Sequence, residues 1–128
     1  MRKKKSLSLL VWCAVVLIVG GGIAVGLKTT GRPAKLDGFA RCLGDKGARF
    51  FGAFWCPHCQ NQKAMFGRSA SLLPYTECST PDGAAQTAIC TENKIESYPT
   101  WEFADGSRET GEVSLTRLAE KTGCALPQ

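Results

Sequence analysis

A chain of 128 residues has room for one modest core once a membrane-length apolar segment is set aside, which excludes a second domain. Six of the 16 Lys and Arg precede Pro33, leaving ten against 11 Asp and Glu beyond it, so the net charge of +5 belongs to the N-terminal region. A nucleic-acid footprint needs cations clustered on the folded domain, and no nucleic-acid partner is expected.

Residues 1–6 are a basic tail with Arg2, Lys3, Lys4 and Lys5. Leu7 to Leu27 carries no charge. As a helix rising about 1.5 Å per residue it spans roughly 30 Å, the thickness of a hydrocarbon layer. A transmembrane anchor over residues 7–27 is the expectation. The basic tail then stays cytoplasmic, and everything after Lys28 is sent across the membrane. A signal sequence is the competing reading, because Ala24 and Gly26 are small enough for processing, but the apolar part of a signal is generally shorter. Bulky Trp12 argues against lipid attachment at Cys13. Residues 28–35 are a short polar linker that keeps a domain of residues 36–128 near the bilayer.

Asp37 is placed to cap a helix reaching about Lys46, with Leu36, Phe39, Ala40 and Leu43 at helical spacing and Gly44 and Gly47 to end it. Ala48 to Trp55 is a nearly continuous apolar run, the pattern of a central strand buried on both faces. Cys56-Pro57-His58-Cys59 follows at once. Gln60 to about Arg68 favours helix, and Pro57 suits a first turn, where its missing N–H is not needed. Strand is expected from Leu72 to Cys78, a loop at Pro81-Asp82-Gly83, and a short helix from Ala84 to Asn93. Thr100 to Ala104 alternates with Trp101 and Phe103 on one face. Asp105-Gly106 turns the chain, and Ser107 to Val113 returns as an edge strand. Ser114 caps a last helix with Leu115, Leu118 and Ala119 inward. This order is α/β with a mixed sheet.

A Cys-x-x-Cys pair serves redox chemistry or metal binding, and its setting must decide. Between a strand end and a helix start, Cys56 meets unpaired backbone N–H groups and the positive end of the helix dipole, both of which favour a thiolate. Cys59 falls one turn inside, near enough to close a small disulfide but more shielded. Cys56 is therefore expected to exchange with substrate and Cys59 to resolve. His58, the one histidine in the chain, is either a solvated helix-start residue or a cation that favours the Cys56 thiolate and makes the disulfide more oxidising. No metal or other cofactor is expected, because zinc needs further ligands at compatible spacing and Cys78 and Cys90 are too far apart for a second pair. Beyond the apolar segment lie Cys42, Cys56, Cys59, Cys78, Cys90 and Cys124, an even set that suits a disulfide-supported exported domain. With the redox pair set aside, the other four allow three pairings. Tyr98-Pro99-Thr100, taken alone, is an ordinary strand boundary.

Together, the strand, Trp55-Cys56-Pro57-His58-Cys59, the helix, and Tyr98-Pro99-Thr100 before a hairpin and final helix resemble the thioredoxin superfamily over about residues 36 to 124. The resemblance implies a thioredoxin-like fold, a cis Pro99 beside Cys56, and substrate-facing roles for Tyr98, Pro99 and Trp55. Pro57-His58 is similar to the dipeptide of DsbA-type oxidases. Gly52-Ala53-Phe54-Trp55 running into the cysteines, Glu77-Cys78, and Tyr98-Pro99-Thr100-Trp101-Glu102 resemble more closely the thioredoxin-like domains that accompany bacterial vitamin K epoxide reductase homologues. In that family the domain is fused to, or works with, a quinone-linked oxidase. With one apolar segment here, the oxidase is expected to be a separate membrane protein. The resemblance also places a disulfide between Cys78 and Cys90, after which Cys42 and Cys124 remain as the other pair. Phe50 is a departure: six residues before the first cysteine, thioredoxins and DsbA-type proteins carry a buried acid that relays protons to the second cysteine.

The function implied is that of a thiol–disulfide oxidoreductase on the periplasmic side of a bacterial cytoplasmic membrane, donating disulfides to exported cysteine-containing proteins. The same residues working in reverse make a reductase, as in cytochrome c maturation. A purely structural Cys56–Cys59 bond makes a non-catalytic binding domain.

Overall fold

The computed structural model describes residues 34–128. The basic tail, the anchor over residues 7–27 and the linker as far as residue 33 lie outside the described residues. Among the described residues no helix is long and apolar enough to cross a membrane.

In chain order the elements are α1 (Asp37–Asp45), β1 (Arg49–Gly52), α2 (Pro57–Ala64), a 3-10 turn (Gly67–Leu72), β2 (Tyr75–Glu77), α3 (Ala88–Glu92), β3 (Thr100–Glu102), β4 (Arg108–Thr110) and α4 (Leu115–Thr122). The four strands form one sheet in the order β2-β1-β3-β4. β1 runs parallel to β2, with Phe50 beside Tyr75, and antiparallel to β3, with Phe50 beside Trp101. This mixed sheet with its helices fits a thioredoxin-like fold.

Successive residues of a strand point to opposite faces, so a central strand needs two cores. Phe50 enters the larger one, packed with Phe39 and Leu43 of α1, Trp101 of β3 and Leu118 of α4. Phe51 enters the other, against Cys78, Cys90 and Ile95. Each core has a covalent bond at its margin or within it. Cys42 of α1 is bonded to Cys124, just past α4, and Cys78 is bonded to Cys90 of α3.

Several boundaries differ from those read in the sequence. Asp37 is the first residue of α1 rather than its cap, which is Leu36. Its carboxylate accepts from Ala34 N at 2.9 Å and from Ser69 Oγ at 2.7 Å, tying the entering chain to the 3-10 turn. The central strand stops at Gly52, because Cys56 N donates to Ala53 O and closes a turn. Phe54 and Trp55 are apolar but half exposed, so they belong to a surface and not to the core. The helix after the cysteines is shorter at its end and gives way to the 3-10 turn, which takes Leu72 out of β2. Ala84 to Thr87 is loop, where Gln86 bridges back to Ser79, and α3 begins only at Ala88. β4 is confined to Arg108–Thr110: Gly111 N still donates to Pro99 O in register, but Pro99 has no N–H to return the bond and continue the ladder. The cap of α4 is Ser114, whose Oγ accepts from Arg117 N at 3.1 Å.

Candidate active site

The β1–α2 junction brings a sulfur pair to the end of the central strand. Cys56 is the N-cap of α2 in extended conformation, Pro57 occupies the first turn, and Cys59 lies one turn further on. Both thiols are free and buried, Cys56 at 6% exposure and Cys59 at 1%. The sulfur read as the exposed one is thus open only at its edge, because Ala53 and Tyr98 pack over the pair. Cys56 makes no side-chain capping bond to the helix. Its Sγ instead lies 3.7 Å from Tyr98 O, at the cis Tyr98–Pro99 peptide.

Cys59 occupies space that exists because residue 52 is glycine. A Cβ on Gly52 would stand 2.9 Å from Cys59 Sγ, closer than real contacts allow, and 3.0 Å from Tyr75 Cε2, tighter than most. Burial pushes the Cys59 thiol up to about 12, and its hydrogen bond with Cys56 adds to the effect, while Ala53 N–H and Lys63 oppose it.

Trp55 projects from the turn before Cys56. Its Nε1 donates to Ser79 Oγ at 2.9 Å, and its ring meets Tyr98 edge-on at 6.1 Å. Gln86 Nε2 donates to the Tyr98 hydroxyl, joining the loop after β2 to the same surface. Pro99 itself is fully buried. Trp55, Tyr98 and Cys56 therefore share one face, with half-exposed Phe54 beside Trp55.

His58 turns elsewhere. Its Nδ1 lies 2.7 Å from Glu112 Oε1, which also accepts from Asn61 Nδ2 at 3.0 Å. These two hydrogen bonds, that from His58 first, hold the Glu112 carboxyl below the usual carboxylate range. Glu112 had no signal in the sequence, since the contact joins residues 54 positions apart. A second missed group lies on β2. Glu77 Oε1 accepts from Phe54 N at 3.2 Å and Ser79 N at 2.9 Å, and its Oε2 accepts from Tyr75 OH at 2.8 Å. Tyr75 and Glu77 alternate on a three-residue strand, the one sequence cue that they share a face.

No family model matches the chain. It is similar to a plant oxidoreductase. The thiol-disulfide oxidoreductase LTO1 of Arabidopsis thaliana is 47% identical over 94 residues, covering 70% of this chain. The chain spans 24% of the length of that relative.

Proposed function

We propose that this chain is a thiol–disulfide oxidoreductase whose redox centre is Cys56 and Cys59. The observation that carries the reading is the division of labour among the six cysteines of the described residues: four are spent in two disulfides, and the other two, both free, sit together at a helix start beside a cis-proline turn. Its similarity to a thiol-disulfide oxidoreductase of Arabidopsis thaliana supports it. In the donating direction a substrate thiolate attacks Cys56 Sγ, the Cys56–Cys59 bond breaks, and Cys59 leaves with the electron pair. A second substrate thiolate then attacks the substrate sulfur of the mixed disulfide, leaving the substrate oxidised and the pair reduced.

The finer reading comes from the sequence: an anchor over residues 7–27, a domain on the periplasmic side of a bacterial cytoplasmic membrane, exported proteins as substrates, and reoxidation by a separate quinone-linked oxidase of the vitamin K epoxide reductase type. The half-exposed Trp55, with Tyr98 beside Cys56, is the surface on which such substrates dock. Acid quenching and alkylation of cells tests the whole scheme. The Cys56–Cys59 pair should be mostly oxidised at steady state and reduced when the oxidase is removed, and Cys59→Ala should accumulate mixed disulfides through Cys56. A pair found mostly reduced, and dependent on a membrane electron donor, would make the protein a reductase.

A further inference from the structure

Every turnover of a dithiol pair moves a proton at the buried sulfur, because Cys59 attacks or leaves as a thiolate and rests as a thiol. A group that accepts or returns that proton has to reach a sulfur with 1% exposure. The ionisable groups that face it are few. Its own helix supplies Cys56 and Lys63, β2 supplies Tyr75 with Glu77 behind it, and the turn before β3 supplies Tyr98. β1 supplies Phe50, Phe51 and Gly52, which have nothing to titrate.

Among these, Tyr75 is built in. Its ring meets Phe50 edge-on at 5.1 Å, and its Cε2 and Cys59 Sγ flank the same empty Cβ position of Gly52. The phenol donates to Glu77, whose other oxygen is held by Phe54 N and Ser79 N. Lys63 Nζ lies 3.3 Å from the centre of the Tyr75 ring, placing a cation where negative charge must pass. Burial raises the Tyr75 phenol, and its hydrogen bond to Glu77 raises it further, so it stays a neutral O–H able to pass a proton on.

We propose that Tyr75, backed by Glu77, is the proton partner of Cys59, the role for which the central strand offers only Phe50. The proposal rests on Cys56 and Cys59 being the redox pair. When Cys59 resolves a mixed disulfide on Cys56, its S–H proton passes through a bridging water to the Tyr75 oxygen as the phenolic proton passes to Glu77 Oε2. The Cys59 sulfur bonds to that of Cys56, the Cys56–partner bond breaks, and the partner leaves as a thiolate with the electron pair. Glu77 then gives its proton to solvent. Run backwards, the same path protonates Cys59 as it leaves.

The test uses the full-length chain carrying Cys13→Ser, gently reduced so that both structural disulfides survive, and the aromatic disulfide DTNB as the probe. Attack by Cys56 releases one chromophore, and resolution by Cys59 releases a second. Tyr75→Phe and Glu77→Gln should each slow the second release about tenfold or more near neutral pH. The rate should recover as hydroxide takes over in alkali, and the first release should change less than about twofold. Gln at 77 retains an oxygen for Phe54 N and Ser79 N, and Phe at 75 retains the ring. If Glu77→Gln fails to fold, Tyr75→Phe decides alone. A second release that keeps its neutral rate, or slows equally at every pH, overturns the relay. A first release no faster than that of an ordinary thiol would overturn the redox reading itself.

Discussion

Gly52 shows how one missing side chain positions the chemistry. Its absent Cβ is the room in which Cys59 and Tyr75 meet. Gly52→Ala forces one of them aside, and overpacking of this kind costs about 1–3 kcal/mol. Urea denaturation of the oxidised protein should show that loss, together with an altered rate of second release from DTNB. Cys59 also makes stability depend on pH in the reduced protein. Its thiol titrates at about 12 in the fold, above its ordinary value of 9.0. The folded state therefore holds a proton that the unfolded chain releases sooner. The stabilisation is full below 9.0 and is lost as pH rises toward about 12. Reduced protein should fall in melting temperature across that window more steeply than oxidised protein, in which neither sulfur titrates. Equal slopes would show that burial does not hold the Cys59 proton.

At the scale of elements, α2 is fastened to the chain entering α4 by a buried side chain, Gln62, beside the exposed contacts of His58 and Asn61 with Glu112. Gln62 is fully buried, donates from Nε2 to Val113 O at 3.0 Å and accepts from Val113 N at 2.7 Å. This pairing replaces the strand partner that the segment after β4 lacks, and it brings Glu112 beside His58. Gln62→Met keeps the volume but leaves both backbone groups unpaired, at about 1–3 kcal/mol each. A loss of about 2–6 kcal/mol in urea is expected, along with release of His58 from Glu112, visible as changed imidazole chemical shifts. A near-neutral result would mean that Val113 finds other partners. The same elements explain why the central strand reads too long in the sequence. Hydrophobicity marks Phe54 and Trp55 as it marks Phe50 and Phe51, yet a half-exposed aromatic beside a reactive sulfur and a buried one in a core have the same letters.

For the whole molecule, two disulfides of different reach stabilise different parts. Cys42–Cys124 closes a separation of 82 residues, Cys78–Cys90 one of 12. In the chain-entropy account they restrict the unfolded chain by about 4–5 and roughly 3 kcal/mol respectively. The paired Cys42→Ala, Cys124→Ala variant should therefore lose more stability than the paired Cys78→Ala, Cys90→Ala variant. Only the second should disturb the loop that holds Trp55 and Tyr98, read by tryptophan fluorescence. The reverse order of stability losses would show that strain or residual unfolded structure outweighs loop length. What the sequence determined by itself was local: a strand running toward the cysteines, a cysteine at the helix start, a proline in the first turn and a second cysteine one turn later. Those features depend on neighbours in the chain, and their spacing is enough to specify them. Which groups face the two sulfurs was decided by tertiary structure alone. β2 must pair beside β1 before Tyr75 meets Cys59 at Gly52 and Glu77 meets Phe54 N, and the chain must return past β4 before Glu112 meets His58. Contacts across 23 and 54 residues depend on strand register and packing, which leave no local trace in the sequence.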